Sequence, residues 1–434
     1  MADYRKNVSV IQERAVLAAV LWPGMEIDHR DPLGELRSLV DTAGAITVAE
    51  VIQERKAPDA STFIGKGKVE ELAALCKLHQ ADVVIFENDL SPAQLRNIEE
   101  IVEKKIIDRS ELILDIFANR ARTHEAKLQV EMAQLEYTYP RLTAMWSHLE
   151  RITGGSPGGV GTRGPGEQQL EIDRRIVQQR KSELKREIDK VQARKRREVA
   201  DRNIDFVTVG LVGYTNAGKS TLFNTLTDAG AYADDKLFAT LDTRTRRWDL
   251  GGGDSVMLSD TVGFVRNLPH HLVASFRATL EESIHSDLLL VVLDIADAQV
   301  EQHLKTVNEV LEQIGAGDRP RVLLLNKTDR LEDNAEVLVW TGRHANALPI
   351  SAKIGVGMDK LIEVVRQHAH GNMLELTLRL PMREGKATSF LESRGTVLDR
   401  QYDTDHVTMR VRIGKRQMDQ LKATGAKFTV VNDE

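Results

Sequence analysis

Val207 to Ala229 reads VTVGLVGYTNAGKSTLFNTLTDA, and the fold of the chain turns on this stretch. VTVGLVG has the short apolar run of a buried strand, whereas TLFNTLTDA has the character of a helix. Between them Gly213-Tyr214-Thr215-Asn216-Ala217-Gly218-Lys219-Ser220 spells GxxxxGK[ST], with Thr221 adjoining. The glycines let successive backbone N–H groups turn toward a polyphosphate, and the helix start adds its positive end. Lys219 reaches the β and γ oxygens, and Ser220 supplies an oxygen for Mg2+. A strand, this loop and a helix in that order predict an α/β domain with a phosphate-binding loop.

Downstream motifs say which nucleotide. The strand-like RVLLL leads directly into Asn326-Lys327-Thr328-Asp329. The Asp329 carboxylate can accept from both N1–H and the exocyclic amine of guanine. Adenine offers no such donor pair and would leave the carboxylate unpaired. Ser351-Ala352-Lys353, after ALPI, suits a loop that closes over the base through a backbone N–H. Between these sites runs Leu237-Phe238-Ala239-Thr240-Leu241-Asp242, a candidate switch loop. Its Thr240, preferred over Thr243 and Thr245, can bind Mg2+ by its hydroxyl and the γ-phosphate by its N–H. Asp260-Thr261-Val262-Gly263 follows, with Asp260 holding Mg2+ through water and the Gly263 N–H facing the γ-phosphate. The expected metal ligands are thus Ser220, Thr240 and Asp260, and the catalytic positions Lys219, Thr240 and Gly263. Many GTP-hydrolysing proteins place a water-orienting Gln after this motif. Here the next residue is Phe264, which can neither donate nor accept a hydrogen bond. With every other part present, a slow GTPase whose partner orients the water is the expected outcome.

The remaining chain reads as further modules. At 434 residues, with 41% hydrophobic and 29% charged residues, it is long enough for two to four ordinary globular domains. A net charge of -6 argues against indiscriminate nucleic-acid binding. The lone Cys76, in LAALCKL, excludes an intrachain disulfide and reads as helix core. The longest apolar run, AVLAAVLW, is too short to span a bilayer, so a cytoplasmic chain without membrane insertion is expected. Residues 1–108 alternate apolar runs with amphipathic segments, predicting a small parallel α/β domain. Asp31-Pro32 and Ser91-Pro92 are read as helix starts. FIGKGK (Phe63–Lys68) lacks the phosphate-loop spacing and reads more simply as a turn before a helix.

Residues 109–203 are expected to form a helical hairpin, with helices over 111–149 and 167–200 and a glycine-rich tip, GGSPGGVGTRGPGE (Gly154–Glu167). From Arg174 to Glu198 there are eleven Lys/Arg against four Asp/Glu, a solvated face or an RNA-facing one. Residues 204–370 form the nucleotide domain. Residues 371–434 form a small α+β tail: LELTLRLPM, a strand-rich stretch to Ile413, a helix near Gln417–Lys422, and KFTVV.

Taken together, GYTNAGKS, LFATLD, DTVGF, NKTD and SAK, preceded by RARTHEAKLQVEMAQL and TRGPGEQQLEIDRR, closely resemble the HflX family of translational GTPases within the Obg-HflX group. The linker motifs carry more of the resemblance than the nucleotide motifs do, since all GTPases of this class share the latter. One departure is Thr243, where the family pattern has Pro. The resemblance implies GTP as substrate, GDP as product, binding to the large ribosomal subunit and its rRNA, and separation of stalled or idle ribosomes into subunits, notably under stress. The alternative is a GTP-gated RNA-binding factor for ribosome assembly or sensing, in which hydrolysis only resets binding. Asn216 has two open readings: a K+ ligand beside the phosphates, or a local hydrogen bond. No heptad or long exposed strand argues for a dimer, so a monomer is expected.

Overall fold

The computed structural model describes residues 12–25, 27–28, 30–153, 165–205, 207–227, 237–238, 243–252, 254–266, 285–371 and 373–431. The chain divides into two compact units. The first takes in residues 1–191, 234–242 and 265–277, and the second residues 192–233, 243–264 and 278–434.

In the first unit the strand β1 (Arg14–Leu21), RAVLAAVL, is buried from Ala15 onward, as a strand covered on both faces must be. It lies inside a parallel sheet of order β2-β1-β3-β4, with β2 (Ile46–Glu54), β3 (Val83–Phe86) and β4 (Lys105–Asp108). Helices α1 (Gly34–Ala43), α2 (Lys66–Leu78) and α3 (Pro92–Val102) connect the strands. Cys76 sits in the core, and FIGKGK is the turn into α2. At α3 the Ser91 hydroxyl accepts from the Gln94 N–H while the Gln94 side chain accepts from the Ser91 N–H, and Pro92 opens the helix. The Asp31-Pro32 expectation is corrected: α1 begins at Gly34 without a side-chain cap. Asp31 instead makes the preceding turn, its carbonyl accepting from the Gly34 N–H at 3.2 Å.

Where one helix was expected over 111–149 there are two, α4 (Arg109–Arg120) and α5 (His124–Thr153). The break has a local cause: the Thr123 hydroxyl accepts from the Ala126 N–H at 3.1 Å and starts a new helix. The second long helix, α6 (Pro165–Asp205), runs antiparallel to α5. Arg180 Nε meets Glu131 at 2.7 Å and His124 faces Glu187 at 3.9 Å, so the pairing proceeds in opposite directions along the two helices. Leu128, Met132, Leu184 and Ile188 make their apolar seam.

The second unit is built on a six-stranded sheet of order β10-β9-β8-β5-β7-β6. Its strands are β5 (Thr208–Gly213), β6 (Arg244–Gly251), β7 (Asp254–Asp260), β8 (Leu288–Asp294), β9 (Arg321–Asn326) and β10 (Ala347–Pro349), with α7 (Lys219–Thr227), α8 (Val300–Gln313), α9 (Ala335–Arg343) and α10 (Met358–Gly371). Only β6 runs antiparallel to its neighbour. Leu211, Phe223, Trp248, Leu258, Leu290 and Leu361 belong to its core. The tail is an antiparallel sheet of order β12-β13-β11-β14, from β11 (Met373–Pro381), β12 (Thr396–Tyr402), β13 (His406–Gly414) and β14 (Thr429–Val431), with helices α11 (Gly385–Arg394) and α12 (Lys415–Ala423). Helix α11 corrects the strand-rich reading: GKATSFLESR buries Ala387 and Leu391, four apart, on one helical face. Among the described residues no helix is long and apolar enough to cross a membrane.

The first unit holds a buried ionic quartet. Arg109 meets Glu35 and Glu87, each at 2.9 Å, and Arg266 meets Glu87 at 2.7 Å and Glu35 at 3.5 Å. Arg109, Glu87 and Arg266 are all buried. Removing one member leaves the others charged and desolvated. Arg109→Met should therefore destabilise the first unit by about 3–5 kcal/mol in urea unfolding, and a loss below about 1 kcal/mol would show the quartet to be screened as a surface pair is.

Candidate nucleotide-binding site

Strands β5, β7, β8 and β9 end at Gly213, Asp260, Asp294 and Asn326, and Ser351 lies just beyond β10. These strands are mutually parallel, so their carboxyl ends share one edge of the sheet, where open α/β sheets hold ligands. The sequence motifs separated by more than a hundred residues meet on that edge.

At the base end, Asn326 joins three loops. Its Nδ2 donates to the Ala217 carbonyl at 2.8 Å, and its Oδ1 accepts from the Ala352 N–H at 2.9 Å. Gly218 makes room for this: its φ is +96°, and a Cβ there would lie 2.3 Å from Asn326 Nδ2. Lys327 adopts a left-handed φ of 66° and reaches back, donating to the Asn216 carbonyl at 2.7 Å and pairing with Asp294 at 2.6 Å. The Thr328 hydroxyl donates to the Ile350 carbonyl at 3.0 Å. The Ser351 hydroxyl donates to Asp329 Oδ1 at 2.5 Å, and this bond holds the Asp329 carboxyl below the usual carboxylate range. Asp329 is thus an ionised acceptor at neutral pH, as recognition of guanine requires. Lys353, two residues after Ser351, is exposed.

At the phosphate end Lys219 is buried, and its ammonium donates to the carbonyls of Gly213 at 3.1 Å and Tyr214 at 2.7 Å. Desolvation lowers its pKa to about 8, against the opposing pull of Asp260. The Ser220 hydroxyl donates to Asp260 Oδ2 at 2.9 Å, bringing two expected Mg2+ ligands together. Thr221 is half-buried at the head of α7, and Thr261 donates to the Leu211 carbonyl at 2.6 Å. DTVGF is fastened to the phosphate loop: the Thr215 N–H donates to the Phe264 carbonyl at 2.8 Å and the Phe264 N–H to the Gly213 carbonyl at 3.1 Å. The Phe264 ring is buried, as is Val262. At Gly263 a Cβ would stand 2.8 Å from Thr215 Cγ2 and 3.0 Å from Lys219 Nζ, so only glycine fits. Asn216 is exposed with a φ of 58°.

Among the described residues no group of three or more His, Cys, Asp and Glu could hold a metal ion unaided. Ser220 and Asp260 offer the hard oxygen donors that suit Mg2+, which takes its other ligands from phosphates and water. Ala239, Thr240, Leu241 and Asp242 lie outside the described residues. Phe238 is in the first unit, buried against Phe117 with ring centroids 4.5 Å apart, so its side chain serves packing. Two residues of this edge went unread in the sequence. Asp294 was detectable as an acid at the carboxyl end of the apolar strand LLLVVLD. His303, stacked on Tyr214 at 3.9 Å, gave no signal.

The comparisons agree along the chain. Residues 30–118 match a family described as GTP-binding GTPase N-terminal, residues 120–202 its middle region, residues 208–327 a 50S ribosome-binding GTPase family, and residues 337–432 the HflX C-terminal domain. GTPase HflX of Escherichia coli strain K12 is 45% identical over 379 residues, 87% of this chain and 88% of that one. GTPase HflX of Lacrimispora saccharolytica is 42% identical over 400 residues, 92% of each chain. The chain belongs to the HflX family. As an HflX-family member it is a GTP-binding protein and a GTP hydrolase. Its fold is also similar to the crystal structure of a GTP-binding protein from the hyperthermophilic archaeon Sulfolobus solfataricus in complex with GDP, with 24% identity, a TM-score of 0.44, and coverage of 82% of this chain and 99% of that one.

Two outcomes follow from this geometry. Asp329→Asn should remove the paired acceptance from guanine and erase most of the preference for GTP over ATP in competition binding. A variant as selective as the wild type would refute the role of Asp329. Lys219, with its pKa near 8, loses its proton as the free protein passes above that pH, whereas bound phosphates favour the ammonium. GDP binding at pH 9 should therefore take up a proton, seen as a buffer-dependent heat in calorimetry, and affinity should weaken as pH rises above about 8. A heat independent of buffer ionisation at pH 9 would contradict this.

Proposed function

We propose that this GTPase binds the large ribosomal subunit and its rRNA in the GTP state and separates stalled or idle ribosomes into subunits. The observation that carries the reading is the antiparallel pair α5 and α6. Its second helix exposes Arg174, Arg175, Lys185, Arg186 and Lys190, within a stretch that runs seven charges positive in a chain of net charge -6. Phosphate backbones are recognised by such a display, and a long hairpin gives reach that a nucleotide sensor alone would not need. The match to a family described as 50S ribosome-binding GTPase supports the same partner.

In this reading the backbone of Gly213–Ser220 cradles the phosphates, Lys219 meets the β and γ oxygens, and the Gly263 N–H meets the γ-phosphate, as does the Thr240 N–H. Asn326, Lys327, Thr328, Asp329, Ser351, Ala352 and Lys353 hold guanine. Mg2+, held by Ser220, Thr240 and, through water, Asp260, supplies positive charge against the γ-phosphate. The Asn216 side chain adds a K+ site beside the phosphates. If turnover is equal in KCl and NaCl at the same ionic strength, that site is absent. The chain acts as a monomer in the cytoplasm, partly on ribosomes, and ribosomes raise its turnover.

The glycine-rich tip, Gly154–Glu167, is the part assigned to rRNA: the lack of side chains permits close approach, and Arg163 can stack on a base or pair with phosphate. Its Gly154–Gly164 portion lies outside the described residues. Deleting Gly158–Gly164 should leave GDP affinity and turnover without ribosomes unchanged, while cutting ribosome-stimulated turnover and subunit separation by about tenfold. Undiminished splitting by that deletion would make the tip a connector. Stimulated turnover with no separation by the wild type would make the chain a sensor.

A further inference from the structure

The replacement of glutamine by Phe264 leaves open which group of this chain meets the attacking water. Phe264 cannot do so: its ring is buried, and its backbone N–H and carbonyl are both engaged with the phosphate loop. The question concerns GTP hydrolysis itself and does not rest on the ribosome as partner.

Thr215 is the third residue of GYTNAGKS and is 7% exposed. Its backbone N–H is fixed by the Phe264 carbonyl at 2.8 Å. Its hydroxyl, by contrast, is buried without a hydrogen-bond partner among the described residues. Buried hydroxyls are almost always paired, so an exception inside a nucleotide loop points to a partner that arrives with the ligand. The position of the side chain says which part of the ligand. A single point, the Cβ direction of Gly263, lies 2.8 Å from Thr215 Cγ2 and 3.0 Å from Lys219 Nζ. Thr215, the glycine of DTVG and the phosphate-loop lysine therefore converge, and the last two are the groups that face a γ-phosphate in this class of site. In this structure the methyl faces that point, and one staggered step about χ1 brings the hydroxyl to the position the methyl now holds.

We propose that the Thr215 hydroxyl hydrogen-bonds the attacking water at the γ-phosphate and is the polar guide that Phe264 does not provide. In the step it assists, the water oxygen bonds to Pγ while the bond from Pγ to the β–γ bridging oxygen breaks. The bonding pair leaves with GDP, and the water proton passes to a phosphate oxygen, giving inorganic phosphate. Thr215 keeps its own proton throughout and contributes orientation alone. A hydroxyl suits the position because it both donates and accepts, and can hold the water with either lone pair or proton.

The test uses the full chain without ribosomes, comparing wild type, Thr215→Val and Thr215→Ser in single-turnover GTP hydrolysis and in binding of fluorescent GDP with and without aluminium fluoride. Valine keeps the branched shape and removes the hydroxyl, whereas serine keeps the hydroxyl. The valine variant should lose about 10- to 100-fold in rate with GDP affinity within about twofold of wild type, and should no longer gain affinity on adding aluminium fluoride. The serine variant should stay within about fivefold of wild type on every measure. The proposal is overturned if the valine variant hydrolyses GTP within about fivefold of wild type, if serine falls as far as valine, or if valine loses GDP binding itself, since Thr215 would then serve packing.

Discussion

One neutral side chain holds the nucleotide edge together. Asn326 donates from Nδ2 to the phosphate loop and accepts at Oδ1 from the loop that follows β10, so three loops from three strands share one amide. An amide suits this position because it presents one donor and one acceptor and carries no charge into a buried place. A carboxylate there would set an oxygen against the Ala217 carbonyl. The demand extends to its neighbours: Gly218 must lack a Cβ for the amide to approach, and Lys327 must take a left-handed turn to reach Asn216 and Asp294. The base and phosphate halves of the site are in this way joined through one side chain.

The phosphate half is built from groups that suit a triphosphate better than they suit each other. Lys219 is desolvated and donates to carbonyls of its own loop, and Asp260 shares a hydrogen bond with Ser220. A polyphosphate would supply the charge that Lys219 lacks. Phe264 is understood in this setting as a pin. Its ring anchors the end of DTVGF in the core, while its backbone bonds hold the motif against Gly213 and Thr215. A glutamine in the same buried position would need partners for its amide, so the substitution exchanges a catalytic side chain for a fixed backbone.

What could be read in the sequence was what local chemistry determines. GYTNAGKS, NKTD and Ser91-Pro92 declare their backbone conformations through residues only a few positions apart, and the alternation of apolar runs with helical segments is enough for two α/β domains. The helix break at Ala121–Thr123 was missed because good helix formers flank it on both sides and one threonine decides it. The α11 helix was missed because GKATSFLESR is short and stands among β-prone neighbours. The quartet of Glu35, Glu87, Arg109 and Arg266 was invisible because its members are far apart in the chain and each, taken alone, reads as a surface charge. The Thr215 hydroxyl, without a partner among the described residues, was equally hidden, since satisfaction is a property of the fold and not of the residue type.

The proposed action on ribosomes is tested most directly by sedimentation of intact ribosomes with an excess of the protein in a non-hydrolysable GTP analogue and, in parallel, in GDP. A GTP-state splitting factor should give separated subunits in the analogue, with the protein on the large subunit, and intact ribosomes in GDP. Intact ribosomes under both conditions, with or without bound protein, would contradict it.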